Sequence, residues 1–200
     1  MSVVVGVIHD HEMSSLTTRC LVELARRPDV SGFIFVGGGA GRLDNARNTV
    51  ARRFLAKSSP WLLTVDTDMV FSSEDFEALR SVADKDTAPI VSGAYFVDEY
   101  PPRLCAARVE DGHIRSISEW KDDEVEDVEY VGAGFMLVHR RVLLELGDQP
   151  YRQDITAPDG ALVGEDYAFC TRARLAGFPV KVHTGAFIGH VKPRVLGYDI

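Results

Sequence analysis

The sequence predicts an α/β fold, a single doubly wound mixed sheet flanked by helices. Three observations lead there. Short apolar runs at Val3–Ile8, Gly32–Val36, Trp61–Val65 and Pro89–Gly93 alternate with stretches whose apolar residues repeat at helical spacing, in the order β-α-β-α-β-α-β. The runs are largely continuous, as in strands of a parallel sheet covered on both faces, and crossovers between such strands are right-handed. Beyond Gly93 the pattern changes to a hairpin and a glycine-bearing strand, which makes the sheet mixed.

The first strand, Val3–Ile8, is β-branched and apolar. It runs into His9-Asp10-His11-Glu12, a polar loop at the carboxyl edge of the sheet that reads as a nucleotide-lining loop, an H-x-H metal site or a solvated turn. Ser14 or Ser15 caps a helix to about Arg27, with Leu16, Cys20 and Leu24 on one face, and Pro28-Asp29 ends it. The second strand is followed by Gly37-Gly38-Gly39-Ala40-Gly41, which matches neither a P-loop nor G-x-G-x-x-G. Asp44 then caps a helix that buries Ala46, Val50 and Phe54. Its Arg47, Arg52, Arg53 and Lys57 form either a solvated basic face or, for Arg47 with Asn48, a group placed to meet a diphosphate or an aspartate pair.

Trp61–Phe71, WLLTVDTDMVF, is the stretch on which the rest depends. A buried parallel strand presents its functional groups at its carboxyl end, where Asp66-Thr67-Asp68 stands. Two carboxylates one residue apart repel, and burying them is costly without a cation or donors. They read as a Mg²⁺ or Mn²⁺ site holding a substrate phosphate, or as aspartates that cap the next turn.

Ser72-Ser73-Glu74-Asp75 opens a helix to about Ala83, and Pro89–Gly93 is the next strand. Arg103–Val109 and His113–Ser118 flank Asp111-Gly112, a strong hairpin signal. Glu119–Glu129 holds seven acidic residues and reads as a solvated loop. Glu129–Val138 is a strand with two glycines, where a ligand or another backbone comes close, and Arg140–Leu146 is a short helix ended by Gly147. Asp148–Val163 is an irregular stretch of the lid or binding-loop kind. Glu165 and Asp166 open a helix closed by Gly177, in keeping with either its dipole or a catalytic role. Phe178–His183 is a last strand, and Thr184–His190 leads to Lys192-Pro193-Arg194.

Length and charge narrow the function. Two hundred residues suit one domain, 1–200, and a net charge of −8 opposes gripping nucleic acid through its phosphates. Cys20, Cys105 and Cys170 are scattered and odd in number, as in reduced cytosolic proteins. The apolar start is too short for a signal peptide, and no stretch reaches the roughly 20 apolar residues of a membrane span. The expectation is a cytoplasmic protein.

VDTDM, GEDYAFCTRARLAG and TGAFIGH stand in this order, preceded by ARNTVARRFLAK and joined by Val131-Gly132-Ala133-Gly134-Phe135. Together they resemble the glycosyltransferases of the GT-A fold, in the manner of the family-2-like transferases and the Anp1-type mannosyltransferases, over roughly Ala46 to His190. The resemblance implies a nucleotide-sugar donor, with a UDP-sugar expected, and a divalent cation. By it, 1–97 is the nucleotide-binding half and 98–200 the acceptor and catalytic half. His9, Arg47, Asp66, Thr67, Asp68 and Lys192 would face the donor, Arg47 lying near the diphosphate. Asp66, Asp68 and His190 would hold the metal, and Asp166, or else Glu165, would face the acceptor and, in an inverting enzyme, take its proton. The activity implied is a hexosyl- or N-acetylhexosaminyl-transferase, inverting or retaining. The acceptor, whether glycan, protein or another molecule, is not implied, because so short a chain leaves little room for an acceptor domain.

The chemistry is independently coherent. A leaving nucleoside diphosphate gains charge as the sugar bond breaks, and a cation about 4 Å away stabilises it by several kcal/mol at an effective dielectric near 20. Two other readings compete. D-x-D after an apolar strand also opens the haloacid-dehalogenase phosphohydrolases, but there it lies on the first strand and Thr or Val follows, where this chain has Met69 on its third. A non-catalytic nucleotide-sugar-binding module would share the same residues.

Overall fold

The computed structural model describes residues 1–9, 13–38, 43–99, 102–157 and 160–192. The first half is β1 (Val3–His9), α1 (Ser15–Leu24), β2 (Val30–Gly37), α2 (Leu43–Leu55), β3 (Trp61–Asp66), β4 (Met69–Val70), α3 (Ser73–Val82) and β5 (Ile90–Ala94). Then come β6 (Phe96–Glu99), β7 (Pro102–Leu104), β8 (Ala106–Glu110), β9 (His113–Ser116), β10 (Val125–Asp127), β11 (Tyr130–Val131) and β12 (Phe135–His139). The chain continues through α4 (Arg140–Leu146), α5 (Glu165–Leu175), β13 (Lys181–Phe187) and β14 (Gly189–His190).

Seven strands form the central sheet in the order β10-β13-β5-β12-β3-β1-β2. β2, β1 and β3 are parallel to one another, as are β5 and β13, while β12 lies antiparallel between β3 and β5. Period-two alternation sorts the side chains of each strand into two cores. Val3, Val5 and Val7 of β1 join Leu63 and Val65 of β3 against Cys20 and Leu24 of α1 and Phe76 and Leu79 of α3. Val4, Ile8 and Leu62 face the other way, against Val50 and Phe54 of α2 and Phe169 and Ala173 of α5. A sheet covered on both sides explains why its strands are continuously apolar, and each fully buried Phe or Leu contributes about 1.5–3 kcal/mol.

Capping accounts for two helix starts. The Ser14 side chain accepts from Leu16 N, and Ser72 with Asp75 forms a reciprocal capping box at α3. At the hairpin, Asp111 and Gly112 have φ of 51° and 76°, the pair of positive values that a type I′ turn needs.

Several boundaries differ from the sequence reading. Leu16 is exposed, and Thr17 and Leu21 join Cys20 and Leu24 on the buried face of α1. Asp44 lies inside the first turn of α2, which starts at Leu43, and favours the helix dipole there. The stretch Arg103–Val109 is divided between β7 and β8. The acidic stretch is not all loop, since β10 pairs antiparallel with β13 at the sheet edge and directs Asp127 to Lys181 at 2.7 Å. Glu129–Val138 breaks at Gly132–Gly134, where the chain crosses from the small β11-β8-β9 sheet into the central one. The last strand starts later and runs longer than Phe178–His183. Phe187 is 41% exposed while Ile188 is 1%, so only the isoleucine packs into the core. Asp10, His11, Glu12, Gly39, Ala40, Gly41, Pro193 and Arg194, named above, and positions 158–159 of the irregular stretch lie outside the described residues. No helix among the described residues is long and apolar enough to cross a membrane.

Candidate active site

The site is assembled at the carboxyl ends of β3, β5 and β13. β3 ends at Asp66, whose backbone N–H donates to Gly134 O at 2.9 Å, and Thr67-Asp68 then turn the chain into β4. The turn is held from two sides. Ser14 N donates to Thr67 O at 3.1 Å, and Val191 N donates to Asp68 O at 2.8 Å. β14 pairs antiparallel with β4, setting His190 opposite Met69. A strand pair of two residues each thus brings His190 to Asp68 across 122 residues of sequence.

Asp68 Oδ2 and His190 Nε2 are 2.9 Å apart, and His190 Nδ1 is 2.7 Å from Phe96 O. Burial opposes charge on both groups, but their contact prevails, lowering the Asp68 pKa and raising that of His190. Lys192 Nζ stands 3.9 Å from the same Asp68 oxygen and is half-exposed. Lys192 is therefore beside the aspartate turn.

Asp66 belongs to a second, drier cluster. Arg47, only 3% exposed, donates from Nη2 to Asp66 Oδ2 at 2.9 Å, from Nε to Glu165 Oε1 at 3.0 Å and from Nη1 to Ala133 O at 3.3 Å. Desolvation works against its charge, but Asp66 and Glu165 outweigh it and hold the guanidinium protonated. Burial pushes the Asp66 pKa up against the pull of Arg47, and Asp66 Oδ1 is shielded from solvent without a hydrogen-bond partner among the described residues. Thr64 Oγ1 also donates to Ala133 O, at 2.7 Å, fixing the loop that receives the arginine.

Glu165 and Asp166 enter from the N-terminus of α5 with different fates. Glu165 is tied to Arg47, whereas among the described residues Asp166 Oδ1 accepts its neighbour's backbone N–H, from Tyr167 at 2.8 Å. Burial, reinforced by the charge of Glu165, raises the Asp166 pKa to about 6. Asn48 does not reach this cluster; its Oδ1 accepts from Tyr151 N at 2.9 Å and anchors the long loop. His9 ends β1, where its carbonyl accepts from Gly38 N at 2.6 Å, and it is the one residue of its polar loop within the described set.

Sequence reasoning missed Tyr95. Its hydroxyl accepts from Gly134 N at 3.1 Å, and its ring lies edge-on to His190 at 5.5 Å, so it touches both clusters. Burial raises its pKa well above the usual value and keeps the hydroxyl protonated. The two glycines of the crossing make room for it, because a Cβ on Gly132 would lie 2.1 Å from the Tyr95 oxygen and one on Gly134 3.0 Å. The available signal was the glycine pair, read as a place of close approach, and the partner it admits is this ring.

Among the described residues no group of three or more His, Cys, Asp and Glu side chains surrounds one point, so no complete protein cage for a cation is present. Asp68 and His190 nonetheless fit a shared one. Two adjacent ligands of an octahedral ion at about 2.1 Å stand about 3 Å apart, and the two facing atoms are 2.9 Å apart. A hard cation bound through one or two side chains takes its remaining ligands from phosphate and water. Asp66 Oδ1, buried and unpartnered, is a further acceptor on the same turn.

Comparison with known proteins agrees with this architecture. The model of the glycosyltransferase-like family 2 matches residues 2–198. The solved structure of A197 from STIV superposes with a TM-score of 0.63 at 17% identity, covering 96% of this chain and 87% of that one. GalNAc-T7, solved with UDP, GalNAc and Mn²⁺, superposes with a TM-score of 0.67 at 14% identity, covering 99% of this chain and 45% of that one. No curated protein matches the sequence. With the sheet order, the carboxyl-edge acids and a match over nearly its whole length in hand, the chain belongs to the glycosyltransferase-like family 2 and has the GT-A fold.

Proposed function

We propose that the protein transfers a hexosyl or N-acetylhexosaminyl group from a UDP-sugar to an acceptor hydroxyl, with a divalent cation held by Asp68 and His190. The observation that carries this reading is the 2.9 Å approach of Asp68 to His190, beside the buried acids. The UDP and Mn²⁺ bound by GalNAc-T7 favour the same donor and ion.

Each side chain then has a task. Asp68 and His190 bind the ion, which supplies charge stabilisation for the departing diphosphate. Lys192, half-exposed at the same turn, adds a mobile positive charge to that diphosphate. Arg47 is fully engaged by Asp66, Glu165 and Ala133, so it orients the acids rather than meeting the diphosphate directly. Asp66, thus held, presents its free oxygen toward the donor or the ion. Asp166 takes the acceptor proton, because Glu165 is pinned and a pKa near 6 leaves Asp166 ionised at neutral pH yet basic enough to act. A carboxylate base assisting the incoming hydroxyl implies inversion at the anomeric carbon. A phosphohydrolase would need Asp66 as nucleophile, and here a buried arginine holds one of its oxygens.

A panel of nucleotide sugars with Mn²⁺ tests the reading. Slow release of nucleoside diphosphate from one donor, abolished in Asp68→Ala, is the expected result. Phosphate release from generic esters, or tight nucleotide-sugar binding with no turnover against any acceptor, would overturn it.

A further inference from the structure

Three aromatic rings gather at Phe96, whose backbone carbonyl contacts His190, and the reading above gives none of them a task. Phe96, whose carbonyl holds His190 Nδ1, lies edge-on to Trp120 at 5.9 Å and to Phe187 at 5.2 Å, with interplanar angles of 62° and 65°. Trp120 and Phe187 are 6.3 Å apart and within 30° of parallel. Phe96 therefore braces a pair of rings of similar tilt. Phe187, which ends β13 three residues before His190, is 41% exposed, and Trp120 is half-buried. Trp120 also lines a cleft of about 470 Å³ with Glu119, Lys121, Glu124 and Glu126.

We propose that Phe96, Trp120 and Phe187, with the cleft beside Trp120, form an acceptor subsite for an uncharged pyranose of a glycan. This rests on the transferase reading and names the acceptor that the reading leaves open. Position comes first. Phe187 ends β13, Phe96 follows β5, and the Phe96 backbone carbonyl lies 2.7 Å from the proposed ion-binding histidine, so a sugar resting on these rings lies near the reacting centre. Size agrees as well, since ligand clefts run to about 300–1,000 Å³ and a sugar of one or two rings fits the lower part of that range. Chemistry then selects among occupants. A pyranose has an apolar C–H face that packs on aromatic rings and a rim of hydroxyls that needs donors and acceptors, which three glutamates and one lysine supply. Glu126 is paired with Arg108 at 2.5 Å and Glu124 with Lys121 at 3.3 Å, which among the described residues leaves Glu119 as the uncompensated charge of the cleft, and with a chain of net charge −8 this opposes phosphorylated headgroups and nucleic acid.

The test uses the full chain and a panel of neutral trisaccharides: cellotriose, chitotriose, maltotriose and mannotriose. Saturation-transfer NMR followed by titration compares wild type with Trp120→Leu, Trp120→Phe and Phe187→Ala. Leucine keeps apolar packing without a ring face, and phenylalanine restores the face. At least one trisaccharide should bind wild type, about fivefold to tenfold more weakly to Trp120→Leu and Phe187→Ala, and nearly normally to Trp120→Phe. UDP–Mn²⁺ affinity should be unchanged in all three variants. Binding of no trisaccharide, equal binding by all variants, or preferential capture by phosphatidylcholine vesicles overturns the proposal. Failure of the transferase reading looks different, because it is sugar binding that depends on these rings in a chain that never takes up UDP–Mn²⁺.

Discussion

Replacing Arg47 by Met removes a buried cation while keeping an unbranched side chain of similar reach. Arg47 is 3% exposed and donates to two carboxylates and one carbonyl, all between 2.9 and 3.3 Å. Breaking a buried pair costs about 3–5 kcal/mol, mostly because the surviving charge is left without a partner. Here two carboxylates are left, and one of them already has an unpartnered oxygen. For a domain of this size each kcal/mol moves Tm by about 2–4 °C, so the variant should melt about 6–20 °C lower at pH 8. The deficit should depend on pH with a definite sign. Burial already pushes the folded pKa of Asp66 above its unfolded value, and without the cation nothing on Arg47's side opposes that push. Such groups contribute stability below the unfolded pKa and lose it as pH rises through the folded one. The variant should therefore come closer to wild type at pH 5 than at pH 8. Adding Asp66→Asn and Glu165→Gln to Arg47→Met should recover at least half of the loss at pH 8. Melting within about 2 °C of wild type at pH 8, or an equal deficit at both pH values, would refute the idea that Arg47 neutralises this cluster.

Other expectations follow from the same geometry. Asp166→Asn should lower transfer about 10²–10⁴-fold with near-normal donor binding, and wild-type transfer should fade as pH drops through about 6. The same variant should be the more stable form above pH 6 by about 1–3 kcal/mol, since a carboxyl raised from 3.8 to about 6 loses stability as pH rises through that window; equal urea midpoints at pH 4 and pH 8 would count against it. Asp68→Ala should leave the melting curve nearly unchanged while removing Mn²⁺-dependent nucleotide binding by calorimetry. His190→Ala should weaken support by Mn²⁺ more than by Mg²⁺, because an imidazole nitrogen suits the former better, and an equal loss for both ions would reject His190 as a ligand. Tyr95→Phe strands the Gly134 N–H in a dry site and should cost about 1–3 kcal/mol in denaturant titration.

The sequence by itself carried the alternation of strands and helices, the hairpin at Asp111-Gly112, the capping serines and the aspartate turn at the end of β3. All of these depend on side-chain periodicity or on backbone preferences a few residues long, which act before any distant part of the chain arrives. It also offered Arg47, from its place in the first turn of a helix, and His190, from the family resemblance, as candidates. Tertiary structure decided what those residues touch. Whether Arg47 faces solvent or two acids depends on α2 and α5 packing on one side of the sheet, and helix periodicity alone places it equally well in either setting. That Glu165 is pinned while its neighbour Asp166 stays available depends on which carboxylate lies within 3.0 Å of a guanidinium 118 residues away. The break at Gly132–Gly134 is invisible locally because EYVGAGFMLV reads as one strand, and the need for its two glycines shows only where the Tyr95 hydroxyl packs against them. Likewise strand alternation turns Phe187 outward toward Phe96 and Trp120 while Ala186 and Ile188 on either side of it are buried. Local physics sets which elements form and where their ends lie. The pairing of β4 with β14 and the insertion of β12 between β3 and β5 are non-local, and they alone determine which ends meet.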